Sequence, residues 1–144
     1  MDEARLEHTQ YGLTPATEGW FAVNLRDAGW MTNEAMGAAC IFEGDKISFG
    51  QIGYTLQVLE PGQPSGMYHR EGDQEDFLVL SGECLAIVEG QERPLRAFDF
   101  LHCPPGTEHI FVGAGVDVET SHSREAYAPF PPWRPGKTKG AWPL

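Results

Sequence analysis

No stretch of this 144-residue chain approaches the roughly 18 consecutive apolar residues that a membrane-spanning helix needs. The opening residues Met1-Asp2-Glu3-Ala4-Arg5 also lack the apolar core of a secretory signal, so the reading is a cytoplasmic protein with no membrane partner. Basic side chains are scarce. Ten Lys and Arg stand against 21 Asp and Glu, and the formal net charge of −11 repels phosphate backbones, which excludes nucleic acid as a partner. Cysteine is limited to Cys40, Cys84 and Cys103, an odd number without short metal-type spacing, read as small buried or half-buried hydrophobes. Long amphipathic helical patterns are missing too. The segment 32–40 begins with a helix-cap signal, but Gly37 interrupts it, and it reads as an irregular loop. The length suits one core rather than a two-domain enzyme.

What the chain has in quantity is turns. Seventeen glycines and 11 prolines accompany a hydrophobic content of 41%, enough to fill a core if short strands alternate with tight connections. Residues 1–19 are polar and read as an extended N-terminal arm, followed by an early strand over 19–23. A period of two then places Ile52, Tyr54, Leu56 and Val58 on one strand face, up to the turn at Pro61-Gly62. The runs 77–80 and 85–88 are joined by a connection of hairpin length, Ser81-Gly82-Glu83-Cys84. A turn over 89–92 leads to a weaker strand around 95–98, and further strands over 98–103 and 110–112 stop at Pro104-Pro105-Gly106 and Gly113-Ala114-Gly115. Such spacing predicts an all-β fold, an antiparallel sandwich or small barrel. The tail over 123–144 is proline-rich, and it reads as a C-terminal arm that lays Phe130 and Trp133 on its own barrel or a partner, with a polyproline ligand as the alternative.

Gly62, Met67-Tyr68-His69, Glu75 and Gly82 occur in order, and Pro104-Pro105-Gly106-Thr107-Glu108-His109 follows. Together these resemble the two signature motifs of the cupin superfamily, around 62–82 and 98–112. The resemblance is particularly to small single-domain bacterial cupins that share Tyr68-His69-Arg70-Glu71 and the run from Gln74 to Glu83. It implies a double-stranded β-helix, or jelly-roll, barrel over 20–122 between the two arms. It also implies a metal site in which His69, Glu75 and His109 are ligands, with Met67 where a further histidine is usual. The asparagine that often follows the second motif is replaced by Gly113. The apolar strand such relatives carry next is missing after Gly115, where Val116 and Val118 alternate with acids and offer only a charged edge strand. A shortened barrel with an open edge is expected, and with it a homodimer formed through that edge and the arms.

The residues support a site without the family name. Glu75 alternates with Phe77 and Val79, so its carboxylate faces an apolar interior and needs a cation, a hydrogen-bond network or a proton. Two imidazoles and one carboxylate suit zinc, iron(II), manganese or nickel, with positions left for water or substrate. The bland alternative is a metal-free cavity where Glu75 bonds one histidine. Met67 is a poor ligand for these ions and is expected to pack in the cavity, which Tyr54 and His102 are also candidates to line. An outward-facing strand histidine is the competing reading for His102, and Glu71, Asp73 and Asp76 read as a solvated acidic loop. The functional expectation is a metal-binding cupin acting on or binding a small molecule. The alternative is a metal-free ligand-binding or degenerate, non-catalytic cupin. No catalytic residue is assigned.

Overall fold

A computed structural model describes residues 1–114 and 132–136. These residues carry eleven strands and no helix: β1 (Leu6–His8), β2 (Leu13–Pro15), β3 (Gly29–Asn33), β4 (Gly37–Ile41), β5 (Thr55–Val58), β6 (Glu75–Leu78), β7 (Glu83–Val88), β8 (Gln91–Arg96), β9 (Phe100–Cys103), β10 (His109–Gly113) and β11 (Arg134–Pro135). They assemble into four antiparallel sheets, β1-β2, β10-β7-β8, β11-β3-β4-β5 and β6-β9, as the all-β reading requires. The described residues fall into two compact units, one comprising 1–34, 38–58 and 132–136, the other 35–37 and 59–114.

In the first unit, Trp30, Ala38 and Cys40 are buried, and the indole Nε1–H of Trp30 donates to the Leu25 carbonyl at 2.7 Å. Several local readings change here. The arm over 1–19 is not simply extended: β1 and β2 fold it into a hairpin, with Glu7 opposite Thr14. The expected strand over 19–23 has no ladder beyond the Trp20 bridge to Glu3, although Phe21 and Val23 do alternate in burial with their neighbours. The supposed loop over 32–40 holds parts of β3 and β4. Its residues Ala38, Ala39 and Cys40 have little intrinsic strand preference, and burial within the sheet overrides that. Leu56 and Val58 are half-buried as their alternation predicts, but the strand starts only at Thr55, leaving Ile52 and Tyr54 outside it and exposed. Part of the C-terminal segment returns to the chain itself, since Arg134 and Pro135 pair with Thr32 and Met31 and Trp133 is half-buried. Phe130, Val116 and Val118 lie outside the described residues.

In the second unit, Ala86, Ile87, Cys103, Ile110 and Val112 are buried, and Tyr68 packs on Ile87 and Ile110. The link at Ser81-Gly82 is not a hairpin. β6 pairs with β9 while β7 pairs with β8 and β10, so the chain changes sheets there. Loop length alone cannot distinguish these cases, because distant partners decide the pairing. The hairpin lies instead at Glu89-Gly90, whose φ values of 50° and 71° form a tight two-residue turn, so β8 begins at Gln91. The chain before the first motif histidine also pairs with β10. Gly62 donates to the Gly113 carbonyl at 2.8 Å, Gly113 to Gln63 at 2.9 Å and Ser65 to Phe111 at 2.7 Å, so β10 has hydrogen-bonding partners on both sides. A side chain at Gly113 would place its Cβ 2.2 Å from the Glu60 carbonyl oxygen, and glycine permits this close approach.

Candidate metal centre

The backbone brings the two motifs together before any side chain is considered. His69 and His109 form an antiparallel bridge, His109 N–H donating to His69 at 2.8 Å and His69 N–H to His109 at 3.3 Å. Their rings lie 5.0 Å apart between centroids. β6 supplies the third member. Its alternation puts Glu75 and Phe77 on the inner face, and Phe77 meets the His109 ring at 5.1 Å and Phe111 at 4.4 Å. His69, Glu75 and His109 thus present donor atoms that all lie within 4.8 Å of one another.

The protons show what these atoms can do. His109 is 3% exposed, and its Nδ1 stands 3.0 Å from the Thr107 carbonyl. A carbonyl only accepts, so Nδ1 carries a proton, and in the neutral ring Nε2 keeps a lone pair. That Nε2 faces Glu75 Oε2 at 3.1 Å. Oε2 is itself buried and has no hydrogen-bond partner. His69 repeats the device: Nδ1 donates to the Met67 carbonyl at 2.6 Å, and Nε2 faces outward from it. Backbone carbonyls holding Nδ1–H are the outer contacts that orient imidazoles toward metals. The donor set therefore fits a divalent cation: two neutral nitrogens and a buried carboxylate oxygen converge where one positive charge would satisfy all three.

The remaining candidates separate from this cluster. Met67 does not pack in a cavity; it is 59% exposed, and only its carbonyl reaches His69. His102 stands opposite Asp76 on the outer face of β6 and β9, and its Nδ1 lies 2.5 Å from Asp76 Oδ1, so it lines no cavity with Glu75. Tyr54 belongs to the first unit, where it lines an apolar cleft of about 440 Å³ with Trp20, Phe21, Phe42 and Phe49. Cys103, opposite Glu75 in the ladder, is a free buried cysteine whose thiol is pushed up by burial and then by the Glu75 and Asp76 carboxylates. It is a protonated wall residue rather than a thiolate donor. Glu71 was passed over as part of a solvated loop, yet its Oε1 lies 3.5 Å from His69 Nε2. The available signal was its spacing, two residues beyond a ligand candidate.

Residues 55–120 match the Cupin_2 family, described as the cupin domain, and this match supports the cupin resemblance of the two motifs. The (S)-ureidoglycine aminohydrolase of Escherichia coli (strain K12) is 27% identical over 99 residues, 66% of this chain and 38% of that protein. The chain thus spans well under half the length of that curated relative. Among solved structures, a putative sugar phosphate isomerase from Acidithiobacillus ferrooxidans ATCC 23270 aligns with a TM-score of 0.41 and 30% identity, covering 45% of this chain and 43% of its own. A Cupin 2 conserved barrel domain protein from Salinispora arenicola CNS-205 aligns with a TM-score of 0.40 and 17% identity, covering 56% and 76%.

Proposed function

We propose that the protein is a metal-binding cupin that binds or transforms a small molecule at a divalent ion held by His69, Glu75 and His109. One observation carries the reading: the Nε2 lone pair of His109 is aimed at the partnerless, buried Oε2 of Glu75. With a neutral ring and no cation between them, two acceptors face each other, an arrangement that burial makes costly. A bound ion would supply Lewis acidity and a site for water or a substrate oxygen. The chain's own residues do the rest. The Thr107 and Met67 carbonyls fix the imidazole tautomers, and Phe77 and Phe111 exclude water from one side of the His109 ring. The exposed side of His69 leaves an approach for a ligand.

The direct test is stability against added metal. Manganese(II), iron(II), zinc or nickel at about 100 times its dissociation constant should raise unfolding stability by about 2.7 kcal/mol in the parent and not in His109→Ala. Equal unfolding midpoints with and without all four ions would overturn the reading.

A second reading, ligand binding without metal, is favoured by the cleft among Trp20, Phe21, Phe42, Phe49 and Tyr54, whose walls are almost wholly apolar. The homodimer expected from the sequence, through an open barrel edge and the terminal arms, is retained as a proposal. Sedimentation at micromolar concentration decides it, a compact monomer being the contrary result.

A further inference from the structure

We propose that the aromatic cleft of the first unit binds a small free cation of the methylated-ammonium class. This rests on the metal-free reading of that cleft and commits it to one chemistry. The cleft, about 440 Å³ in volume, is lined by Gly19 and by the side chains of Trp20, Phe21, Phe42, Phe49 and Tyr54, none of them aliphatic. Leucine or valine walls would serve a neutral apolar ligand equally well. Aromatic rings differ in carrying a quadrupole whose negative face attracts a cation within about 6 Å of the ring centroid, indole most strongly.

The rings are held in place before any ligand arrives. Phe21 and Phe49 lie 6.3 Å apart between centroids and within 24° of parallel. The turn between Phe42 and Phe49 is closed by two hydrogen bonds, Gly44 N–H to the Ile47 carbonyl at 3.0 Å and Ile47 N–H to the Gly44 carbonyl at 3.2 Å. Glycine lets this turn approach the first hairpin, since a Cβ at Gly44 would stand 2.5 Å from the Pro15 carbonyl oxygen. The Trp20 carbonyl accepts from Ala4 N–H at 2.8 Å, so its backbone is fixed while the residue stays 54% exposed.

A charge of complementary sign is attached to the wall. Glu43 is half-buried, and its Oε1 accepts the Phe49 N–H. Among the described residues Glu43 has no ion pair, and Lys46, the cation of the same turn, is directed to Glu7 at 3.5 Å. A half-buried carboxylate without a counter-charge, tied to an aromatic wall, is complemented by a cation. The net charge of −11 also draws cations to the surface and repels anions. Methylation selects among the cations. A bare ammonium would lose its hydration against walls with almost no polar surface, whereas a methylated one spreads its charge over apolar groups.

Calorimetric titration of the full chain with choline tests this, in the presence of a chelator so that the metal centre contributes nothing. The matched control is the uncharged analogue with carbon in place of nitrogen, and phosphatidylcholine vesicles form a third arm. Choline should bind at least about tenfold more tightly than the analogue. Trp20 and Tyr54 are both more than half exposed, so their replacement removes little packing. Trp20→Leu and Tyr54→Leu should each weaken choline about fivefold to tenfold and leave the analogue nearly unchanged. Glu43→Gln keeps an acceptor for Phe49 N–H, and it should weaken choline alone, by about fivefold. If the analogue binds as tightly as choline, the cation is overturned while the metal-free reading of the cleft stands. If neither binds, both fall. Binding of the vesicles without binding of free choline would overturn a free solute as the occupant.

Discussion

Nε2 of His109 and Oε2 of Glu75 stand 3.1 Å apart, while the Nδ1–H of His109 is committed to the Thr107 carbonyl. A neutral imidazole has one proton, so this contact sets a lone pair against a carboxylate. Either a cation or a second imidazole proton must resolve it. The two outcomes have opposite consequences for mutation and pH.

Glu75→Gln separates them. Its amide N–H can donate to Nε2, replacing an acceptor–acceptor contact with a hydrogen bond. The metal-free variant is expected to be more stable than the metal-free parent by about 1 kcal/mol, and it should lose metal uptake. Denaturant midpoints in the presence of chelator measure the first effect. A less stable variant would indicate an imidazolium–carboxylate pair instead.

Metal affinity should fall as pH falls, since protons and metal compete for the same Nε2 lone pairs. Titration of the parent at several pH values checks the sign. An imidazolium–carboxylate pair without metal would instead strengthen on acidification, giving a rise in stability toward mildly acid pH.

Alkaline pH should destabilise the fold through its cysteines. Burial, with Asp99 for Cys84 and with Glu75 and Asp76 for Cys103, raises both thiols above their ordinary range. A group raised in the folded state contributes fully below its unfolded value, about 8.5 for a thiol, and that contribution is lost as pH rises through the folded value. Unfolding midpoints at pH 7 and pH 10 should therefore diverge, and iodoacetamide should label Cys103 more slowly than a free thiol at pH 8. Equal labelling rates would contradict the burial argument.

Phe98 adopts φ of 74°, a conformation costly for a bulky residue, while 83% exposed. Little packing is at stake. Phe98→Gly should raise stability by about 1 kcal/mol through release of that strain. A lower thermal midpoint would show that the ring contributes more than its exposure suggests.

The sequence made the all-β class and the His69, Glu75, His109 set legible, for a shared reason. Period-two alternation places Glu75 beside Phe77 on the inner face, and the turn at Gly106 sets His109 at the start of β10. Pairing partners were not legible. The Ser81-Gly82 link has the length of a hairpin, but the selection of β9 over β7 as the neighbour of β6 depends on contacts distant in sequence. β4 was hidden because Ala38 and Ala39 are weak strand formers, and the burial of Ala38 and Cys40 becomes visible only once the sheet exists. Met67 was assigned inward as an apolar side chain at a motif position, whereas its exposure and the approach of Glu71 to His69 depend on how the first-motif loop folds onto the Gly106 turn.

The central claim is most directly tested by the metal content of the full chain purified without added metal and then reloaded, alongside His69→Ala and His109→Ala. The expected result is about one equivalent of a divalent ion in the parent after reloading and a loss of most of it in both variants. Less than about a tenth of an equivalent in the parent after exposure to manganese(II), iron(II), zinc and nickel, with both variants unchanged, would contradict it.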